Sequence, residues 1–271
     1  MISLLQASHF RPTLMVTAIA TMLAVSAGRG PGSVWVALAV LAGQLSVGWS
    51  NDYLDRDRDR LARRADKPIV AGRVAAKTVG IGAVVAALVC VPLSMMSGWR
   101  AGLVHLAAVA VAWTYNGWLQ STVASAVPYT VAFGLLPSFV TLGLPEHPRP
   151  PAWVTIAAAL MGTGAHFVNT LPDFAGDAAT GVRGLTQRVG PGVSLFSAAL
   201  LMAAATVVIA VMPSGEPGLL GSALVAGVSV AIVAVVVAGL TDHPRAAWTL
   251  TLCVALLNVM VIVARGGWLV A

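Results

Sequence analysis

The chain is predicted to be all-α and polytopic, a bundle of nine transmembrane helices with a cytoplasmic cap over a central cavity. Three observations carry that prediction. Hydrophobic residues make up 58% of the 271 positions and charged residues only 10%, against about 25% charged in soluble domains. The apolar residues gather in nine stretches, each near the ~20 residues that cross a bilayer as a helix. The few charges collect between those stretches.

Taken in order, the first stretch runs from 12 to 27. It is short and follows Arg11, which also fits the apolar core of a secretory signal. Removing it would take one helix from the series, so an uncleaved span is expected. The second, 33 to 51, ends on the most acidic part of the chain. The third covers 75 to 97, the short fourth 101 to 117, and the fifth 122 to 143. The sixth, 152 to 170, ends on a second acidic segment. Three more follow at 191 to 212, 218 to 240 and 245 to 264. The chain contains no segment that reads as a soluble domain or long linker, so residues 1–271 are expected to form a single membrane domain.

The formal charge of +6 invites a reading as a nucleic-acid binder, but its distribution argues against that. If successive loops alternate across the membrane, the side holding the N-terminus and the loops after even-numbered spans carries twelve Lys and Arg, and the other side four. Basic residues accumulate on the cytoplasmic side, so the N-terminus is expected in the cytoplasm of a multi-pass cell-membrane protein and the C-terminus outside. Eight of the twelve cations lie between 56 and 77, where they can also meet an anion or lipid headgroups. Cys90 and Cys253 lie within predicted spans and read as small apolar packing groups, without a disulfide or metal role.

Only ten side chains are acidic, and seven of these fall within 52–66 and 173–177. Charge beside hydrocarbon is costly and marks function. The first segment reads Asn51-Asp52-Tyr53-Leu54-Asp55-Arg56-Asp57-Arg58-Asp59 and the second Asn169-Thr170-Leu171-Pro172-Asp173-Phe174-Ala175-Gly176-Asp177. Four spans separate them, so both face the same side. On a helix, Asn51, Asp55 and Asp59 recur at i, i+4 and i+8 with Asp52 on the adjoining stripe. Asp57 points away, where Arg56 and Arg58 would neutralise it. Asp173 and Asp177 repeat the i, i+4 spacing if a helix resumes after Pro172. Carboxylates so spaced repel one another unless a cation joins them. The donors are all oxygen, which selects Mg2+, held by a few carboxylates and completed by substrate phosphates and water.

These residues resemble the UbiA superfamily of intramembrane prenyltransferases, whose signatures are NDxxDxxxD after the second helix and DxxxD after the sixth. Asn51, Asp52, Asp55 and Asp59 match the first, and Asp173 and Asp177 the second. Asp66-Lys67-Pro68-Ile69-Val70-Ala71-Gly72-Arg73 resembles the basic-Pro, Gly-Arg segment that follows the first signature, and Gly181 with Leu185 fits the stretch after the second. One departure stands out. Many members carry Tyr-x-x-x-Lys at the end of the fourth helix, whereas Tyr115 here leads into Asn116-Gly117-Trp118-Leu119-Gln120, which has no Lys.

The resemblance implies Mg2+-dependent transfer of an isoprenyl group from a prenyl diphosphate to an aromatic or other small lipid-precursor acceptor, by ionisation of the allylic diphosphate. It implies catalytic roles for Asp55, Asp59, Asp173 and Asp177, which with Asn51 and Asp52 would hold the metal. Arg63, Lys67, Arg73, Tyr115, Asn169 and Arg183 would contact the diphosphate. Each cation has a competing reading as a topology determinant or lipid contact, and Tyr115 as an interfacial anchor. Residues 52 to 77 would cap the cytoplasmic mouth. His166 either meets an acceptor or makes a packing hydrogen bond, while Asn258, His105 and Gln44 read as interhelical contacts. The expected partners are the donor, a hydrophobic or aromatic acceptor and membrane lipid, with no nucleic acid. Two alternatives stay open: a terpene cyclase or lyase on the same scaffold, and an ion-coupled transporter, whose acids should lie near the midplane.

Overall fold

The structure, a computed structural model, describes residues 2–213, 218–241 and 243–264. Its regular elements are helical: α1 (Ile2–Ala7), α2 (Phe10–Ser26), α3 (Gly32–Leu61), α4 (Ala76–Met95), α5 (Trp99–Gly117), α6 (Val127–Thr141), α7 (Ala152–Asn169), α8 (Phe174–Thr180), α9 (Leu185–Val189), α10 (Pro191–Val211), α11 (Gly218–Leu240) and α12 (Pro244–Ala264). Each expected apolar stretch coincides in large part with one of these helices. Among the described residues, α3, α4, α7, α10, α11 and α12 contain stretches long and apolar enough to cross a membrane unaided. α2 and α6 are apolar but shorter, at 17 and 15 residues. The C-terminus, expected outside, lies beyond the described residues.

Two boundaries differ from expectation. α3 continues ten residues past the predicted end at 51, to Leu61. Ion pairs one turn apart, Arg58 with Asp55 and Arg60 with Asp57, support this extension, and both arginines lie in the last turn, where cations favour the helix dipole. Thirty residues make a rod of roughly 45 Å, longer than the ~30 Å hydrocarbon layer, so the charged end projects from it. The fifth stretch is instead shortened. Leu119–Ser121 forms a 3-10 turn, and α6 begins only at Val127, with Pro128 in its first turn, a position that proline favours because its missing N–H has no helical partner there.

The helices close on themselves. α3 packs between α2 and α4, α7 between α6 and α10, and α12 lies against α11, α10 and α2. A core through Ala20, Leu23, Val36, Val40, Phe139, Val154, Ile209 and Val259 joins both ends of the chain. Small residues allow the close approaches that membrane helices need. At Gly48, any Cβ would run into the Ser8 carbonyl, so α3 can seat the α1–α2 junction only with glycine. Two polar contacts inside the bundle join neighbouring helices: His105 Nδ1 with Ser94 Oγ at 2.8 Å, and Thr206 Oγ1 donating to Asn258 Oδ1 at 3.1 Å. On the side away from the acidic ends, Arg29 donates to the Val140 carbonyl in the last turn of α6 and to Ser97 Oγ between α4 and α5. Cys90 is buried and Cys253 exposed, in line with two separate thiols.

Candidate active site

The overhanging end of α3 builds the first half of the site. Its helical period turns Asp52, Asp55 and Asp59 inward, where they are buried, and leaves Asp57 outside. Asp57 is neutralised by Arg56 and Arg60. Arg58 does not serve Asp57 as the sequence suggested, because one extra helical turn places it under Asp55, with 2.6 Å between Nη2 and Oδ2. Asp55 is further held by Asn51 Nδ2 at 3.0 Å and Gln120 Nε2 at 3.0 Å. The Gln120 side-chain Oε1 accepts from Arg58 at 3.2 Å, so Arg58, Gln120 and Asp55 form a closed triangle. Asn116, on α5, donates to the Val47 carbonyl and Ser50 Oγ and backs Asn51.

Asp52 belongs to a different pairing. Lys67 Nζ sits 2.6 Å from its Oδ1, and His9 Nε2 lies 3.3 Å from the same oxygen and 3.2 Å from Lys67. The other oxygen, Oδ2, is buried without a partner among the described residues. Lys67 thus lies inside the protein against an acid, while Arg63 and Arg73 of the predicted diphosphate group lie exposed on the 62–75 segment. Arg73 donates to the Asp66 carbonyl. That segment is a series of turns, with Ile69 buried as its anchor.

The second half follows α7. A 3-10 turn, Leu171–Asp173, carries Pro172, and α8 resumes at Phe174 as the spacing predicted. Gly181, at φ 75, closes α8, and the Val182 N–H returns to the Asp177 carbonyl, a left-handed C-terminal cap that suits glycine. Asp177 Oδ2 accepts from Gln187 Nε2 at 2.6 Å. Burial, with the like charge of Asp173 beside it, pushes the Asp177 carboxyl up to about 6.

Arg64 joins the halves. Its Nη1 lies 2.9 Å from Asp173 Oδ1 and 4.0 Å from Asp59 Oδ1. The two carboxylates can therefore be no farther apart than those lengths end to end, and the acidic segments share one rim. These neighbours raise the Arg64 guanidinium above its ordinary value even against desolvation. Among the described residues no three acidic or histidine side chains already converge as a metal cage. Mg2+ does not require one, since it is commonly held by one or two carboxylates with phosphates and water. The oxygen-only donors and the crowded, partly uncompensated carboxylates fit such an ion.

Below the rim, Tyr115, Tyr129 and His166 form an aromatic wall, with ring centroids 5.0 to 5.7 Å apart. Asn169 donates to the Tyr129 hydroxyl and accepts from Trp248, both at 3.0 Å, so it braces this wall. His166 pairs with Ser125 through Nε2 at 3.1 Å, and its Nδ1 is buried without a partner among the described residues. Arg183 lines a cleft with Gln187 and Arg188. His9, Arg58, Arg64 and Gln187 were not singled out as site residues by sequence. Only the i, i+3 spacing of Asp55 and Arg58 on the helical reading of 51–59 could have revealed one of them.

The fold and rim define a multi-pass α-helical membrane protein with two acidic helix ends facing one another. The UbiA prenyltransferase family profile matches residues 13–259, and the chain belongs to that family. A curated relative, the bacteriochlorophyll synthase 33 kDa chain of Cereibacter sphaeroides, is 31% identical over 207 residues, covering 68% of this chain and 65% of the relative. The match thus spans less than two thirds of that relative's length. Among solved structures, the apo UbiA homolog from Aeropyrum pernix K1 superposes with a TM-score of 0.74 at 20% identity, over 92% of this chain and 96% of that one. A UbiA homolog from Archaeoglobus fulgidus, bound to GPP and Mg2+, gives a TM-score of 0.67 at 16% identity, over 97% and 98%.

Proposed function

We propose that this protein, as one prenyltransferase domain over residues 1–271, transfers an isoprenyl group from a prenyl diphosphate to a hydrophobic or aromatic acceptor within the membrane, with Mg2+ as cofactor. The observation that carries this reading is the single Arg64 guanidinium in contact with acids of both segments. Family membership and the GPP and Mg2+ in the Archaeoglobus relative support it. The excess of cations on one side supports a cytoplasmic mouth in the cell membrane.

Asn51, Asp52, Asp55, Asp59, Asp173 and Asp177 are proposed to hold the ion. Bound there, Mg2+ supplies a Lewis acid that offsets charge developing on the diphosphate. Asp55 and Asp177 face the rim from opposite segments and orient the diphosphate head. Arg58 places a guanidinium over the same point, aimed by Gln120, so a cation stands beside the acids although the family's helix-four Lys is missing. It stabilises charge that grows as the allylic C–O bond breaks, which is the form of electrostatic catalysis that lowers a barrier. Arg63, Lys67, Arg73, Tyr115, Asn169 and Arg183 remain assigned to the diphosphate, with Lys67 and Asn169 acting through the pairings described above. The apolar helices and the aromatic wall keep water from the allylic cation.

The test is diphosphate release from geranyl and longer prenyl diphosphates by purified protein, with and without an acceptor panel that includes a chlorophyll-type tetrapyrrole because of the Cereibacter relative. Release should require Mg2+ and yield a prenylated acceptor. Free hydrocarbon as the sole product would overturn transfer, and no release at all would overturn the enzyme reading.

Two further outcomes follow from the charges. Arg64→Ala removes an internal cation that competes with the metal, so donor-free Mg2+ binding measured by calorimetry should tighten roughly fivefold, equivalent to the ~1 kcal/mol of a partly exposed ion pair. Weaker binding would remove Arg64 from that role. For Asp177, the folded value of about 6 exceeds the ordinary 3.8, so ionisation is disfavoured in the metal-free protein. Acidification from pH 6 towards 4 should relieve that penalty and stabilise the metal-free form through this group, while Mg2+ affinity falls because the ion needs the carboxylate. Asp177→Asn should flatten both dependences.

A further inference from the structure

A groove of about 520 Å³ runs down the outside of α3 and α4 at the level of the charged helix end. Arg56 and Lys77 form its upper end, and Ile81, Val84 and Val85 continue below along α4. Each of those three apolar side chains is more than half exposed. Its floor is Tyr53. A Cβ at Gly80 would come within 2.9 Å of the Tyr53 ring, so glycine is what lets the ring lie against α4.

The upper end is built rather than loose. The Arg56 guanidinium lies 4.6 Å from the Tyr53 ring centroid and donates to the Tyr53 carbonyl at 2.7 Å. Its acidic neighbour is Asp57, at 3.3 Å, a largely exposed side chain that Arg60 also engages. Lys77 has no carboxylate partner among the described residues. Two cations above an exposed apolar channel, at the height where a helix leaves the hydrocarbon, match a lipid carrying a negative head and an acyl chain. The buried acids of α3 do not line this groove, which separates it from the metal and diphosphate site.

We propose that this groove binds an anionic phospholipid, its phosphate between Arg56 and Lys77 and one acyl chain along Ile81, Val84 and Val85. A zwitterionic lipid would bring its own ammonium to the two cations and is disfavoured. This assignment is independent of prenyl transfer. Because Tyr53 and Arg56 sit on the same helical turns as Asp52 and Asp55, a lipid held there braces the α3 overhang from outside.

Native mass spectrometry of the full chain in detergent, titrated with phosphatidylglycerol and phosphatidylcholine of matched acyl chains, tests the proposal. The wild type should retain phosphatidylglycerol about tenfold better, as two basic contacts allow. Lys77→Glu should lose that preference. Val84→Trp, which fills the channel without changing charge, should weaken both lipids. Equal retention of the two lipids by wild type, or a preference unchanged in Lys77→Glu, overturns the assignment. Displacement of phosphatidylglycerol by geranyl diphosphate in the absence of Mg2+ also overturns it, because the groove would then be a donor site. Should Lys77→Glu fail to fold, Lys77→Gln at this exposed position removes one charge, and its preference must fall for the proposal to stand.

Discussion

Asp55→Ala and Asp177→Ala are each expected to lower Mg2+-dependent diphosphate release by at least about 100-fold, the usual scale for removing one preorganised electrostatic contact to a transition state. Asp55 is the more severe case. It is the point where Asn51, Arg58 and Gln120 meet, so its loss frees a guanidinium and two amides at once. Asp177→Ala leaves Gln187 Nε2 without its acceptor but removes a carboxylate already disfavoured by burial and by Asp173. The double variant should cost less than the two single effects multiplied, because groups acting on one ion behave as a unit. Asp57→Ala, on the outer face of the same helix, is the control and should stay within about twofold. An Asp55→Ala protein that releases diphosphate at the wild-type rate would sink the assignment of this rim.

Lys67→Met should destabilise the protein by about 3–5 kcal/mol, the penalty for removing one partner of a buried ion pair and leaving the other charge uncompensated. Asp52 is 2% exposed and has His9 as its other neighbour. Adding Asp52→Asn to Lys67→Met should restore more than half of the loss, since the orphaned charge is then gone. Thermal unfolding in detergent reads both. If Lys67→Met instead melts like the wild type while the KM for the donor rises more than about tenfold, Lys67 contacts diphosphate directly.

Much of this arrangement was legible in the chain before any coordinates. Apolar runs of bilayer length located the long helices, the i, i+4 spacing of Asp55, Asp59, Asp173 and Asp177 marked the two acidic ends, and the four spans between them gave their common side. Hydropathy could not show that α3 continues to Leu61, because charged residues lower the same signal that marks a span. Arg58 was hidden because it adjoins Asp57 in sequence, while helical phase sets it against Asp55. Arg64 was hidden for another reason. Its partner Asp173 lies more than a hundred residues away, and a loop cation carries no periodicity from which to infer a contact. His9 likewise meets Asp52 only because Gly48 lets the N-terminal turn settle on α3. Asn169, which sits beside an acidic segment in sequence, turns towards Tyr129 and Trp248, a choice made by tertiary packing.

The unbroken α3 rod also divides labour between the two acidic ends. Asp52, Asp55 and Asp59 share one continuous backbone with a membrane span, so they behave as an anvil. Asp173 and Asp177 instead stand on a short turn and a seven-residue helix that ends in a left-handed glycine. Variants meant to alter how the proposed diphosphate head is gripped therefore belong on residues 171 to 190, where a change does not propagate through a membrane span.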